Sequence, residues 1–351
     1  MSRKEVFFMN NNIRFKSALA PYFTAYVQEH IMKGYKSSYL QGQLRTFDNY
    51  LFEIRHAKSY FMKSDYDKWL ETISCHHPAS IYNEVNVLAG FFRYMCQLGQ
   101  ECYIPRLPKN PVKDFVPYIY SMEETEKIFN AADALRLNRK SHVPVMMIMP
   151  ALLRLLYSTG IRIGEALSIK NRDIDFKRHV ITINETKNGC QRLAPINDTM
   201  EIVLKQYILY RNRMPLAGLE NPESPLFVSG IGKSPAPCTV LANFHKLIKK
   251  AGILYRGGHK GPNLHSIRHT SCTHAMLKMI HQGMDTYCCL PVLSVFMGHK
   301  HVIDTEKYIH LTTDMYPELL KMDQSVNSSI HKIIERAILT ENKSENENET
   351  I

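Results

Sequence analysis

The stretch LSVFMGHKHVIDTEKYIHLT, from Leu293 to Thr312, decides how the rest of the chain is interpreted. It sets a Gly-His pair at Gly298 and His299, and a tyrosine nine residues later at Tyr308. A tyrosine on an amphipathic helix is normally a core or rim residue, because its ring is apolar and its hydroxyl needs a partner. The segment is therefore a candidate functional site only in combination with polar groups from other parts of the chain.

The composition predicts a globular, basic protein. Of its 351 residues 44% are hydrophobic, enough for a real core and for two domains rather than one. Lys and Arg number 44 against 33 Asp and Glu, a formal net charge of +11, which favours a polyanionic partner such as nucleic acid. The 8 cysteines, with no C-x-x-C pair, indicate reduced thiols in a cytoplasmic protein. We expect no secretory signal and no membrane span, because Pro150 and Arg154 break the most apolar run.

The first part of the chain predicts a helical bundle, which we assign to residues 12–103. Apolar residues recur there at helical spacing, with almost no strand signal. Prolines and basic residues crowd the segment IPRLPKNPVKDFVP, residues 104–117. Since proline removes backbone donors and blocks helix, this segment is expected to be a linker, and its charges suit either DNA or solvent.

Residues 118–322 predict a second domain, followed by a C-terminal helix and a disordered acidic tail at 323–351. Ser121 and Glu124 form a capping box at the start of a helix. Beyond Gly160 the segments LSIKNRDIDF, HVITINET and CQRLAPI have strand character, and an Asn-Gly turn signal places Lys187 at a hairpin tip. From Cys238 to Leu320 the pattern returns to helix.

Four separated segments of this second domain each present unusual polar groups. They supply, in chain order, Arg162 and Glu165 from STGIRIGEALSI, Lys187 from the hairpin, His265 and Arg268 from NLHSIRHTSCTHAM, and His299 and Tyr308 from the opening stretch. His265 and Arg268 are three apart and so are expected on one face of a helix.

These residue types suit chemistry on a phosphodiester that uses no metal and no cofactor. Its transition state concentrates negative charge on the non-bridging oxygens, which Arg162 and Arg268 can clamp in bidentate fashion. Tyr308 can attack in line once its proton has a destination, and His265 is the candidate acceptor. Lys187 is the candidate donor of a proton to the leaving 5′-oxygen.

Two further residues have supporting roles in this hypothesis. His299 would hydrogen-bond a phosphate oxygen, and Glu165 would orient Arg162 or a histidine from behind the site. Taken singly, each candidate is more often a surface charge, a cap or a core residue. Their joint occurrence in this order carries the hypothesis.

The same segments resemble the tyrosine recombinases, or phage-type integrases. TGIRIGEAL resembles that family's first-arginine box, TKNGCQRLAPI its lysine hairpin, HSIRHT its H-x-x-R box, and MGHKHVIDTEKYIH its Gly-His to Tyr box. The order of the boxes and the step from His299 to Tyr308 match. The resemblance runs from about Tyr118 to Met322, and residues 15–105 are similar in length and helical character to the family's core-binding domain.

The resemblance implies a mainly α fold with a small antiparallel β-sheet. A helical core-binding bundle and a catalytic domain would together form a clamp around double-stranded DNA. Tyr308 would form a 3′-phosphotyrosyl link, which stores the bond energy so that rejoining needs neither ATP nor metal. A homotetramer would act on two DNA sites, with accessory proteins a possible addition. The C-terminal helix would dock on a neighbour or on its own subunit, and a mobile-element enzyme is the expected biological type.

Two departures from the family pattern stand out. The chain from Arg268 to His299 is longer than usual, with CCLPVL in the excess, which puts the local geometry before His299 in question. We also expect no extra domain ahead of the bundle, which argues against separate arm-site binding.

Three other functions remain open from the residues. A type IB topoisomerase-like relaxer shares the chemistry but would act as a monomer. A catalytically silent DNA-binding accessory protein would show a gap in the constellation, and there is none. A metal-dependent nuclease or transposase would need clustered carboxylates, which the second domain does not offer.

Overall fold

The computed structural model describes residues 14–35, 37–110, 116–135, 145–184, 186, 189, 191–256, 261–306 and 308. The chain divides into two compact units, Met1–Asp114 and Phe115–Ile351. The finer bounds predicted for the domains, the linker and the C-terminal tail stay predictions.

The described part of the first unit is a four-helix bundle. Its helices are α1 (Ala20–Met32), α2 (Ser38–Glu53), α3 (Lys63–Thr72) and α4 (Pro78–Gln97). Their apolar faces meet in a core rich in aromatic rings, because the spacing of these residues places them on one side of each helix. The predicted helical bundle agrees with this arrangement, although α3, whose ten residues bury only a Tyr and a Trp, contributes little to the apolar spacing.

The second unit is built around a buried helix. Its helices are α5 (Met122–Asp133), α6 (Val145–Thr159), α7 (Ile163–Ser168), α8 (Asp198–Asn212), α9 (Pro237–Lys250), α10 (Ser266–His281) and α11 (Thr286–Met297). Helix α6 packs against α5, α8, α9 and α10. It runs through Pro150 and is buried along most of its length. Among the described helices, none has the length and apolar character needed to cross a bilayer.

A small antiparallel sheet lies beside these helices. Its strands are β1 (Ile174–Asp175), β2 (Val180–Ile183) and β3 (Arg192–Pro195), in the order β1-β2-β3. Ile183 pairs with Arg192, so β2 and β3 form the predicted hairpin, with residues 184–191 as their connection. Mainly helical architecture with a small antiparallel sheet is therefore confirmed.

Local predictions in this unit have mixed outcomes. The capping box at α5 is present: the Ser121 hydroxyl accepts from the Glu124 amide, and the Glu124 carboxylate accepts from the Ser121 amide. The strand character expected over LSIKNRDIDF is confirmed only at β1, because the end of α7 and a 3₁₀ turn at Asn171–Asp173 occupy half of the segment. Helix α8 was not predicted.

The extra residues before His299 lie in a regular helix. The segment CCLPVL falls inside α11, where Cys289, Leu290 and Leu293 are buried against the core. The helix begins after Asp285, whose carboxylate accepts from the amides of Tyr287 and Cys288. The segment therefore forms helical turns that bury one face and leave the other exposed.

Candidate active site

Two helix ends direct the chain into the candidate site. Helix α6 ends at Thr159 and α11 at Met297, and each is followed by a glycine in the left-handed region, Gly160 at φ +59 and Gly298 at φ +63. Glycine adopts this conformation without steric cost, so the chain can turn sharply after each helix. A Cβ on Gly160 would lie 2.7 Å from the sulfur of Met297. The two helix ends are therefore packed directly together.

Arg268 joins the two ends. It lies in the first turn of α10 and is 4% exposed. Its Nη1 donates to the carbonyl of Gly160 and its Nη2 to the carbonyl of Met297, the latter at 2.6 Å. The guanidinium thus connects the segment before Arg162 to the segment before His299, because its planar fork can serve two acceptors at once.

Glu165 sits between two arginines. Its carboxylate accepts from the backbone amide and the Nη1 of Arg162, both at 2.9 Å, and from the Nη2 of Arg192 at 2.7 Å. The carboxylate is 3% exposed. Burial by itself would raise the pKa of Glu165, but these hydrogen bonds lower it below its ordinary value. Glu165 is therefore held as an anion between two cations.

Tyr308 is buried against α10, with 1% exposure. Its hydroxyl lies 2.8 Å from Nδ1 of His269. Its ring lies between those of His269 and His299, with centroid distances of 5.8 and 6.2 Å. Burial, and then the neighbouring Cys272, raise the pKa of Tyr308, while Arg268 and Arg162 lower it. A phenol in this setting needs a base to take its proton.

His299 is oriented by a threonine. Its Nδ1 lies 2.7 Å from the hydroxyl of Thr305, which is fully buried. A bond at Nδ1 fixes the plane of the imidazole ring. The Thr in the Gly-His to Tyr segment therefore has a physical role that spacing alone did not reveal.

Positive charge accumulates around this site. Burial, with Arg162 as the next cause, lowers the pKa of Arg268 to about 10, and Arg192 adds to the effect. Arg268 therefore remains charged at neutral pH, and the Glu165 carboxylate offsets part of the positive charge around it. An oxyanion entering the site would relieve the repulsion among these cations.

The structure gives Tyr308 a partner that the sequence analysis did not name. His269, the residue after Arg268, lies on the face of α10 that meets Tyr308, and the role of His265 as proton acceptor stays a prediction. His265 stands at the N-cap position of α10 and is exposed, with its ring 4.9 Å from that of His269. Lys187 lies outside the described residues.

The structure brings most of the predicted site residues together and places three residues beside them that the sequence analysis did not name. Arg162, Glu165, Arg268, His299 and Tyr308 come together as a cluster. The missed residues are Arg192, His269 and Thr305. Each stands inside a segment that was singled out, so the signal was a second polar side chain beside the expected one.

Together these groups can bind and activate a phosphodiester. Guanidiniums lie near a tyrosine whose hydroxyl already bonds an imidazole, which is the arrangement that attack on phosphorus through a covalent intermediate requires. These groups suit an enzyme of phosphoryl transfer in which a tyrosine is available as nucleophile.

Comparison with known proteins agrees with this class. The model of the phage integrase family matches residues 121–315. A putative integrase/recombinase, y4rB of Sinorhizobium fredii, is 30% identical over 258 residues, covering 72% of this chain and 81% of that protein. The tyrosine recombinase XerC of Oceanobacillus iheyensis is 26% identical over 243 residues, covering 67% and 71%. The chain belongs to the phage integrase family, the tyrosine recombinases, and is an enzyme that cleaves and rejoins DNA.

Solved structures share the fold. The XerH recombinase bound to its palindromic difH substrate superposes with a TM-score of 0.57 at 20% identity, over 80% of this chain and 78% of that one. A lambda integrase dimer bound to a core site gives a TM-score of 0.57 at 16% identity, over 81% and 96%. The architecture is thus that of recombinase domains, as the resemblance implied.

Proposed function

We propose that this site-specific recombinase cuts each DNA strand with Tyr308 and stabilises the reacting phosphate with Arg162, Arg268 and His299. The observation that carries the proposal is the hydrogen bond between Tyr308 and His269, in a site lined by guanidiniums. Double-stranded DNA is the substrate in this proposal. The net charge of +11 and the DNA-bound state of the structural relatives support it.

The cleavage step balances without a cofactor. The Tyr308 hydroxyl gives its proton to Nδ1 of His269, and the phenolate oxygen attacks the scissile phosphorus. The new bond is a 3′-phosphotyrosyl ester, and the bond from phosphorus to the 5′-oxygen breaks. Lys187 supplies the proton that the departing 5′-oxygen needs. Attack by the 5′-hydroxyl of another strand reverses these steps and needs no ATP.

The basic groups divide the remaining work. Arg162 and Arg268 neutralise charge on the non-bridging oxygens, and His299 donates through Nε2 to one of them. His265, exposed beside His269, would contact the phosphate from the solvent side. Glu165 keeps Arg162 in place, because its carboxylate takes both the main chain and the side chain of that residue.

The site described here is a resting arrangement. Tyr308 is 1% exposed, so its phenol cannot reach a phosphate of bound DNA from this position. Two donors of the Arg268 guanidinium are hydrogen-bonded to main-chain carbonyls. DNA binding therefore has to expose Tyr308 and free part of the Arg268 guanidinium before cleavage.

We further propose that four protomers act on two DNA sites in staged exchange.

Covalent trapping tests the proposal. Wild-type protein, Tyr308→Phe and the control Tyr210→Phe, an exposed tyrosine of α8, are incubated in EDTA with nicked duplexes carrying random cores. DNA retained on denatured protein is then sequenced. We expect adducts for wild type and Tyr210→Phe, with a shared core sequence, and none for Tyr308→Phe. An adduct on Tyr308→Phe would refute the nucleophile assignment.

The same experiment separates other activities. Cleavage that requires added Mg²⁺ and leaves no adduct on the protein would indicate a metal-dependent nuclease. Relaxation of supercoiled plasmids that lack the selected core would indicate a topoisomerase-like enzyme. Bound DNA without any adduct on wild type would indicate an accessory binding protein.

A further inference from the structure

The loop after α9 presents two adjacent apolar side chains to solvent. Leu254 is 85% exposed and Tyr255 is 55% exposed, although the preceding residue, Ile253, is buried in the core. Single exposed apolar residues are common on protein surfaces, whereas an apolar pair held in place is typical of a contact with another molecule. The way this pair is anchored and the charge around it indicate what that molecule is.

A helix cap fixes the chain before Leu254. Helix α9 is followed by Gly252 at φ +74, and the amide of Ile253 donates to the carbonyl of Ile248 at 3.0 Å. This hydrogen bond closes the helix end and gives the chain a defined direction. Because Ile253 is held in the core, the next side chain, that of Leu254, is directed to solvent.

Arg256 fixes the chain after the pair. Its amide donates to the carbonyl of Gly261 at 2.9 Å, and its guanidinium carbon lies 4.7 Å from the ring centroid of Tyr118. A guanidinium stacked on an aromatic face is held by a cation–π interaction. Leu254 and Tyr255 therefore project from a backbone that is anchored on both sides, so that little conformational entropy is lost when they enter a contact.

The chain around this loop is basic throughout. Residues 224–284 contain no Asp or Glu and eight Lys or Arg, at positions 233, 246, 249, 250, 256, 260, 268 and 278. The exposed side chains in the last two turns of α9 are a histidine and three lysines, His245, Lys246, Lys249 and Lys250. A surface of this charge attracts the phosphate backbone of a nucleic acid. The apolar pair therefore lies beside a surface suited to DNA.

We propose that Leu254 is a wedge that enters the bound duplex between two base pairs and unstacks them, with the ring of Tyr255 covering an exposed base. This inference rests on the proposed function, because it takes duplex DNA as the substrate. Apolar side chains inserted at a base step kink the duplex, and the cost is smallest at flexible pyrimidine–purine steps. The loop thus contributes to the choice of DNA site through the deformability of one step.

Permanganate oxidation of thymines tests this role, because the reagent attacks thymine preferentially when its face is unstacked. Every protein is the full chain carrying Tyr308→Phe, so that no strand is cut while the duplex with the core selected by trapping is bound. The added changes are Leu254→Ser, Tyr255→Ser, Lys249→Gln and the control Ile202→Ser, whose side chain is 65% exposed on α8. Since all four side chains are exposed, their replacement leaves the core unchanged.

We expect one pyrimidine–purine step of the core to become reactive when the Tyr308→Phe protein binds. Leu254→Ser should remove this reactivity and weaken binding to the core about tenfold, a typical size for one altered base pair. Tyr255→Ser should reduce the affinity by a smaller factor. Changing the reactive step to a purine–purine step should weaken binding of the Tyr308→Phe protein about tenfold and leave Leu254→Ser unaffected.

The salt dependence of binding separates the wedge from the phosphate contacts. Lys249→Gln should keep the reactive step and reduce the slope of log affinity against log salt concentration by about 1. Leu254→Ser should keep the slope, because it removes no charge. Ile202→Ser should match the Tyr308→Phe protein in reactivity, affinity and slope.

The wedge is wrong if the reactive step persists in Leu254→Ser, or if the Tyr308→Phe complex contains no reactive thymine although wild type forms adducts. It is also wrong if Leu254→Ser binds the core as tightly as before but self-associates less in sedimentation, since the pair then contacts protein. These results leave the recombinase function standing. Absence of an adduct on wild type would instead refute the proposed function, and the wedge with it.

Discussion

The hydroxyl of Tyr308 is hydrogen-bonded to His269, the residue immediately after Arg268, at 2.8 Å. Residues 268 and 269 point to different sides of α10, because successive helical residues are turned by about 100°. Arg268 reaches the carbonyls at the two helix ends, and His269 meets the nucleophile. Two adjacent residues of α10 thus contact different parts of the site, Arg268 the two helix ends and His269 the hydroxyl of Tyr308.

His269 should control the acid side of the pH–rate profile. A protonated imidazole cannot accept a proton from the phenol, so wild-type cleavage should slow as pH falls. In His269→Asn that dependence should disappear, and the plateau rate should fall by about 10²-fold. Single-turnover adduct formation measured from pH 5 to 9 checks this. The matched variant His265→Asn should keep the acid limb, and loss of that limb in His265→Asn alone would return the role to His265.

Arg268 should support the fold as well as the chemistry. Arg268→Ala leaves the carbonyls of Gly160 and Met297 without their donor, and we expect a loss of about 3 kcal/mol in the free energy of unfolding. Arg268→Lys keeps a charge and one donor, so it should lose less stability while cleavage still falls sharply. Urea unfolding of both variants, with Arg172→Ala as an exposed control, gives the comparison. Equal stability of Arg268→Ala and wild type would contradict this account.

Thr305 should act through His299. Thr305→Val has nearly the same volume but removes the hydroxyl bonded to Nδ1 of His299, so the imidazole loses its fixed orientation. We expect cleavage to slow about tenfold, equivalent to roughly 1.4 kcal/mol, a typical cost for one buried hydrogen bond. Thr305→Ser keeps the hydroxyl and should stay within about twofold of wild type. The single-turnover rates of the two variants are the measurement, and equal rates would exclude an orienting role.

Tyr207 should make the protein sensitive to alkali. Burial raises the pKa of Tyr207 to about 12 from 10.0, and its hydroxyl donates to the carbonyl of Leu226. Above pH 10 the unfolded chain releases this proton while the folded chain keeps it, so stability present below pH 10 is lost progressively toward pH 12. The full shift corresponds to about 3 kcal/mol. Urea unfolding at pH 9 and 11.5 should show a smaller loss for Tyr207→Phe than for wild type, and identical losses would refute the assignment.

Local rules made much of this protein predictable from its sequence. Helical spacing identified most helices, the Ser121–Glu124 pair marked the start of α5, and alternation marked β2 and β3. Helices α3, α7 and α8 were not predicted. Helix α3 has few apolar positions, α7 has only six residues, and an exposed face with Ile202 and Leu209 interrupts the pattern of α8. The two-residue β1 is too short for periodicity to reveal.

The sequence by itself determined the residue types of the site, because each segment that carries them can be recognised without reference to the other segments. The tertiary structure alone decided which of them meet. That His269 rather than His265 bonds Tyr308 depends on the face of α10 turned toward residue 308. That Arg192 lies on Gly298 depends on β3 reaching the end of α11, residues far apart in the chain. Contacts of this kind arise from the packing of whole elements, and no local pattern along the chain encodes them.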